Sequence, residues 1–129
     1  DVYKRQALAN QLNPRLAFNP EVVFTINPHA DDQGWAHSLQ VHPDGHADYV
    51  AHRPTQLPFT IRWISRTPDQ DCLGFAMPAT AEPEGYTAEK AKGNLRHIDA
   101  EHTWRCDFIV GTLDASQCAQ MRAHIQSLV

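Results

Sequence analysis

An antiparallel β-sandwich closed by one C-terminal α-helix is the fold class that this 129-residue chain predicts. Three observations lead there. Segments with two-residue apolar alternation recur at intervals of roughly 8–12 residues. Turn residues, chiefly Pro, Gly, Asp and Asn, punctuate the gaps between them. Helical spacing is clear in one place, at the C-terminal end.

The elements follow in order. Residues Asp1 to Gln6 read DVYKRQ, which GATGTGTATAAGAGACAG would encode, a DNA sequence that resembles the transposon end joined to fragments in preparing sequencing libraries. They are expected to be a processing scar, excluded from fold reasoning, so that residues 7–129 form the C-terminal part of a single sandwich domain. Ala7 to Pro20 is a connecting segment in which Leu8, Leu12 and Leu16 are interrupted by Pro14. A short helix and a loop fit it equally. Glu21 to Ile26 (EVVFTI) is β-branched and aromatic and predicts a strand. NPHADDQGW follows as a loop.

His37 to His42 alternates, with Leu39 and Val41 inward and Ser38, Gln40 and His42 outward. Pro43-Asp44-Gly45 is a turn signal, and His46 to His52 returns with Ala47, Tyr49 and Ala51 on one face. This is the clearest hairpin in the sequence. Pro54 to Pro58 breaks the chain before Phe59 to Arg66, where Phe59, Ile61 and Trp63 are expected toward the core. Thr60, Arg62 and Arg66 share the opposite face with Ile64. Thr67-Pro68-Asp69 turns into a strand beginning at Asp71, with Leu73, Phe75 and Met77 on one face. Pro78, Pro83 and Gly85 then shape a loop carrying Glu82 and Glu84.

Glu89, Lys90 and Lys92 predict an exposed charged face. Gly93 to Asp99 is expected to be a short strand, and His102 to Thr112 another, with Trp104, Cys106, Phe108 and Val110 aligned on a core face. Cys106 is then a packed apolar side chain and not a nucleophile. Asp114 and Gln117 form a D-x-x-Q capping box, and Cys118, Met121, Ile125 and Leu128 continue at helical spacing.

Composition narrows the functional classes. A formal charge of −4 and a pI near 6.0 argue against nucleic acid or an anionic membrane as the partner. Three cysteines, Cys72, Cys106 and Cys118, form no C-x-x-C pair. Reduced thiols in a cytoplasmic protein are the simplest reading. Eight histidines invite a metal hypothesis, with His42 and His46 flanking the hairpin turn and His52 at its far end. No Cys or carboxylate completes a zinc spacing around them, so surface histidines and no metal are expected. No dinucleotide, P-loop or nucleophile-elbow motif occurs.

Two loops carry candidate chemistry. His29 to Trp35 sets carboxylates beside an indole, which suits a sugar: acids accept hydroxyl hydrogen bonds, and the ring stacks on an apolar C–H face. A solvated turn anchored by Trp35 fits the same residues. Glu82 and Glu84 offer a carboxylate for general-base work, or a solvated loop.

The pattern L-G-x-x-x-P-A-T…G…E-K…G-x-L, followed by a strand and G-x-L-D, resembles the C-terminal part of galactose mutarotase-like (aldose 1-epimerase) proteins. Leu73, Gly74, Pro78, Ala79, Thr80, Gly85, Glu89, Lys90, Gly93, Leu95, Gly111, Leu113 and Asp114 carry the likeness. It covers the chain from about Asp31 to Asp114, somewhat under half of a family domain. The resemblance implies a large antiparallel sandwich that binds a hexose in a cleft. It also implies anomer interconversion without a cofactor: a glutamate takes the C1 hydroxyl proton and a histidine protonates the ring oxygen.

An aspartate in a D-x-x-aromatic loop commonly contacts sugar in that family, which assigns Asp32 and Trp35 as sugar contacts, with Glu84 beside them. Family members often place Glu immediately before Pro at the strand end. Aligning on Pro78 puts Met77 there; aligning on Glu82-Pro83 keeps Glu82 as the catalytic base. The family histidine lies earlier in the chain. The resemblance therefore implies a small-molecule sugar as partner, with two alternatives: a sugar binder without catalysis, and a structural β-domain.

Overall fold

A computed structural model describes residues 15–129, so the expected scar and most of the connecting segment lie outside the described residues. Eight elements follow one another: β1 (Phe18–Ile26), β2 (Ala36–Val41), β3 (Ala47–His52), β4 (Phe59–Arg66), β5 (Asp71–Ala79), α1 (Tyr86–Lys92), β6 (Phe108–Leu113) and α2 (Ala115–Ser127). The described chain is mostly β. It forms two antiparallel three-stranded sheets, ordered β1-β4-β5 and β2-β3-β6, with α2 after the last strand. Among the described residues no helix is long and apolar enough to cross a membrane.

The predicted hairpin is β2-β3, with Leu39 opposite Tyr49 and Val41 opposite Ala47. Its turn closes through Gly45 N–H donating to the His42 carbonyl at 2.9 Å. Gly45 has φ 93°, which favours glycine, and a Cβ there would stand a tight 3.1 Å from the Ala115 Cβ. Ala47, Tyr49 and Ala51 are buried, as their alternation predicts, but Val41, expected inward, is exposed at the end of β2 beside the turn.

The first sheet departs from strict alternation, and two irregularities explain how. β1 begins earlier than expected, so Phe18 to Pro20 is strand and not connection. Asn19, Pro20 and Glu21 lie opposite Ser65 alone, between the pairs Phe18–Arg66 and Val22–Ile64. Two extra residues preserve parity, so Phe18 and Val22 both reach the core with Ile64. In β5, Phe75 and Ala76 stand opposite Arg62 alone, between the pairs Ile61–Met77 and Trp63–Gly74. One extra residue reverses the faces.

Leu73 therefore packs against the Phe18–Val22–Ile64 cluster, while Met77 emerges on the other face and is exposed. The expected shared face of Leu73, Phe75 and Met77 is thus corrected. A Cβ on Gly74 would lie 3.0 Å from the Met77 Cε, which shows where that side chain has gone. The expectation for β4 is corrected as well, since Thr60 and Ile64 are as buried as Ile61.

Three further expectations change. Gly93 to Asp99 forms no strand. β6 starts only at Phe108, so Trp104 lies outside it, and Trp104, Phe108 and Val110 are all exposed. Glu89 is buried rather than part of an exposed face. Its carboxylate accepts from the Glu82 N–H at 3.0 Å, the Asn94 amide at 2.8 Å and the Lys92 ammonium at 3.2 Å, tying α1 to the loop before it. These contacts, the Asn94 bond foremost, hold its pKa below the usual carboxylate range.

Helix α2 matches the sequence reading. Asp114 accepts from the Gln117 N–H, Gln117 answers to the Asp114 N–H, and Cys118, Met121, Ile125 and Leu128 are buried or half-buried.

Candidate functional site

A dense polar cluster lies where the loop before β2 meets the hairpin and the end of α2. Asp31 organises it. Its main chain closes a turn, with Gly34 N–H donating to the Asp31 carbonyl at 2.9 Å and Asp31 N–H to the Trp35 carbonyl at 2.8 Å. One carboxylate oxygen, Oδ1, accepts from the Gln33 N–H at 3.0 Å and the Trp35 N–H at 2.9 Å, an Asx-type closure of the loop.

The other oxygen, Oδ2, faces two imidazoles: His37 Nε2 at 2.6 Å and His124 Nε2 at 3.3 Å. The far nitrogen of His37, Nδ1, lies 2.7 Å from the Tyr49 hydroxyl. A continuous chain thus runs Tyr49–His37–Asp31–His124. The His37 and His124 rings meet edge to face with centroids 5.1 Å apart.

Electrostatics follow from these contacts. The His37 hydrogen bond first, and the Trp35 N–H second, hold the Asp31 carboxyl well below the usual carboxylate range. Burial, reinforced by the Asp31 charge, pushes the Tyr49 phenol up, so it stays neutral and serves as donor or acceptor. Asp31 and His37 are nearly buried side chains, while His124 is open to solvent. The three atoms Asp31 Oδ2, His37 Nε2 and His124 Nε2 lie within 4.8 Å of one another.

Trp35 and Asp32 stand on the same loop. Asp32 is exposed, and Trp35 is half-buried beneath the Arg53 guanidinium, whose carbon sits 4.1 Å from the ring centroid. Arg53 also donates to the Gln33 carbonyl at 2.9 Å. The indole is therefore held on one face by a cation and positioned by the Asp31 turn.

Glu82 and Glu84 belong to a different group. Lys92 reaches Glu82 at 2.7 Å and also pairs with Glu84 and Glu89. Those carboxylates, Glu82 foremost, hold the Lys92 ammonium above the usual lysine range. Met77 lies within β5 and is exposed, whereas Glu82 lies in the loop after that strand.

Register relates the two loops. Trp35 precedes Ala36, which pairs with His52; the His52 ring meets Thr60; Thr60 pairs with Pro78, which leads into the Glu82 loop. Both loops leave the same end of their sheets. Their described side chains nonetheless keep separate partners, Arg53 and His37 on one side and Lys92 on the other.

The hairpin histidines are engaged with acids. The His42 and His46 rings stack at 4.2 Å between centroids, His42 Nε2 lies 2.7 Å from Asp48 Oδ2, and His46 bonds Asp44. The His46 bond holds the Asp44 carboxyl below the usual range.

The sequence places Asp31 among the carboxylates of a candidate loop and Tyr49 on an inward hairpin face, but it joins neither to the other and gives His37 and His124 no role. One signal was present: His37 shares parity with half-buried Leu39, which pairs with buried Tyr49, and so faces the Tyr49 side of the hairpin. Nothing local announces His124, which meets Asp31 across 93 residues of chain. No family model, curated protein or solved structure matches this chain.

Proposed function

We propose that this chain is a carbohydrate-binding β-domain of the kind that its resemblance to aldose 1-epimerases implies. In this reading the two sheets belong to a galactose mutarotase-like sandwich, and an aldose is bound at the end where both candidate loops emerge. The carrying observation is that shared end: Asp32, Trp35 and Arg53 lie on one side and the Glu82–Gly85 loop on the other. A sugar needs hydroxyl acceptors, a donor and an apolar face together, and Asp32, the Arg53 guanidinium and the Trp35 indole supply those three.

Binding without catalysis is favoured over anomer interconversion by one observation. Glu82, the candidate base, is already paired to Lys92, which competes with a sugar hydroxyl for the carboxylate.

Sugar affinity measured calorimetrically across a panel of aldoses tests the reading. Asp32→Ala is expected to lower affinity by roughly 0.5–1.5 kcal/mol, the value of a hydrogen bond to a hydroxyl. Trp35→Ala is expected to remove binding, since it deletes the stacking face. Absence of binding to every aldose, or binding indifferent to both substitutions, rejects the site.

A further inference from the structure

We propose that Asp31, His37 and His124 form a binding site for one divalent transition-metal ion of the zinc class, with Tyr49 orienting His37. This goes beyond the carbohydrate reading and does not rest on it.

The donor set is chemically apt. Two imidazole nitrogens and one carboxylate oxygen suit zinc and its neighbours, whereas Mg²⁺ and Ca²⁺ prefer all-oxygen shells. The three donor atoms converge within 4.8 Å. Ligand atoms bound to zinc at about 2.0–2.1 Å stand roughly 3.3 Å apart in a tetrahedral shell. Asp31 Oδ2 and His124 Nε2 already lie 3.3 Å apart, and the 2.6 Å contact from Asp31 to His37 has only to open slightly.

The surrounding groups are arranged as a metal site requires. Ligating carboxylates and histidines are characteristically fixed through their other heteroatom. Asp31 commits Oδ1 to the Gln33 and Trp35 N–H groups, leaving Oδ2 as its inward atom. His37 commits Nδ1 to Tyr49, leaving Nε2. The phenol suits both states of the site. With Nε2 protonated toward Asp31, Nδ1 accepts the Tyr49 O–H; with Nε2 bound to metal, Nδ1–H donates to the Tyr49 oxygen instead. A phenylalanine provides neither contact.

His124 sits in the last turn of α2, whose carbonyl end favours a nearby cation. It is the solvent-facing ligand and so gives the ion its entry path. Three protein ligands leave a further coordination position for water or a ligand oxygen.

The site is scattered in sequence because its ligands come from a loop, a strand and a helix. That is why the zinc spacing absent around His42 and His46 says nothing about it. The hairpin pair is also the natural competitor, and it supplies the control.

The test uses the untagged full chain stripped with a chelator. Zn²⁺ is titrated calorimetrically, and Co²⁺ is followed by its visible absorption. The expected result is one equivalent of Zn²⁺, Co²⁺ bands of a four- or five-coordinate ion, and no uptake of Mg²⁺. A His42→Gln/His46→Gln double variant should retain this binding. Tyr49→Phe should weaken it about 10- to 100-fold, and His124→Gln by more. Since His124 is exposed, its substitution leaves the fold intact, and circular dichroism verifies this. No uptake by the wild-type chain, uptake undiminished by His124→Gln, or uptake lost in the hairpin variant overturns the proposal.

Discussion

His52 reaches Thr60 across the two sheets, Nε2 to Oγ1 at 3.3 Å, and both side chains are buried. The remaining ring nitrogen, Nδ1, has no hydrogen-bond partner among the described residues. A neutral imidazole tolerates that position far better than an imidazolium, whose second N–H would be buried without an acceptor.

Acid sensitivity follows. Burial pushes the His52 imidazole below its ordinary value of 6.5, so the unfolded chain binds the proton more tightly than the folded one. Its contribution to stability is complete above pH 6.5 and is lost as pH falls through the lower folded value. Urea midpoints measured between pH 7.5 and pH 5 are expected to decline for the wild type and to decline less for His52→Leu. Parallel declines in the two proteins would remove His52 as the cause.

The same contact predicts non-additivity. His52→Leu alone strands the buried Thr60 hydroxyl and is expected to cost about 1–3 kcal/mol at pH 7. His52→Leu with Thr60→Val removes both polar groups and should recover most of that loss. Chemical denaturation of the two singles and the double gives the coupling. Simple addition of the two losses would mean that the hydroxyl has another partner.

At the start of α2, Asp114 and Gln117 exchange hydrogen bonds of 2.8 and 2.9 Å. Asp114→Ala is expected to cost about 1 kcal/mol by unbonding a first-turn N–H. Thermal unfolding measures it, and helix-signal loss should precede or accompany the main transition. A variant as stable as the wild type would show that packing through Cys118 and Met121 alone holds the helix.

How much of this was legible in the sequence depends on the range over which each signal acts. The β2-β3 hairpin and the α2 cap were readable because Pro43-Asp44-Gly45 and D-x-x-Q specify their geometry within four residues. The faces of β5 were not, since a bulge opposite Arg62 depends on the partner strand's register and not on β5's own alternation. Phe108 and Val110 look like core by period, yet both are exposed, because alternation marks a shared face of β6 and cannot tell whether another layer covers it.

Glu89 reads as a surface charge in a segment rich in Lys. It is buried because a backbone N–H, an amide and an ammonium converge on it. The Asp31 cluster was half visible: the inward parity of His37 was there to read. The meeting with His124 is a tertiary event with no local signature.

A general base must present a free carboxylate oxygen to the C1 hydroxyl, and such a base typically contributes about 10²–10⁴-fold in rate. Glu82 lies 2.7 Å from the Lys92 ammonium, which Glu84 and Glu89 also hold. Withdrawing Glu82 for proton transfer would leave that ammonium with its other two acids, so the pair can separate, but a sugar hydroxyl must compete with a full cation to open it.

We therefore expect polarimetric mutarotation by the wild-type chain to stay at the spontaneous rate, and Glu82→Gln to change neither that rate nor sugar affinity. A wild-type acceleration that Glu82→Gln reduces by the general-base factor would make this chain an enzyme and Glu82 its base. An acceleration that survives Glu82→Gln but is abolished by His37→Gln would move the acid–base chemistry to the Tyr49–His37–Asp31 chain instead.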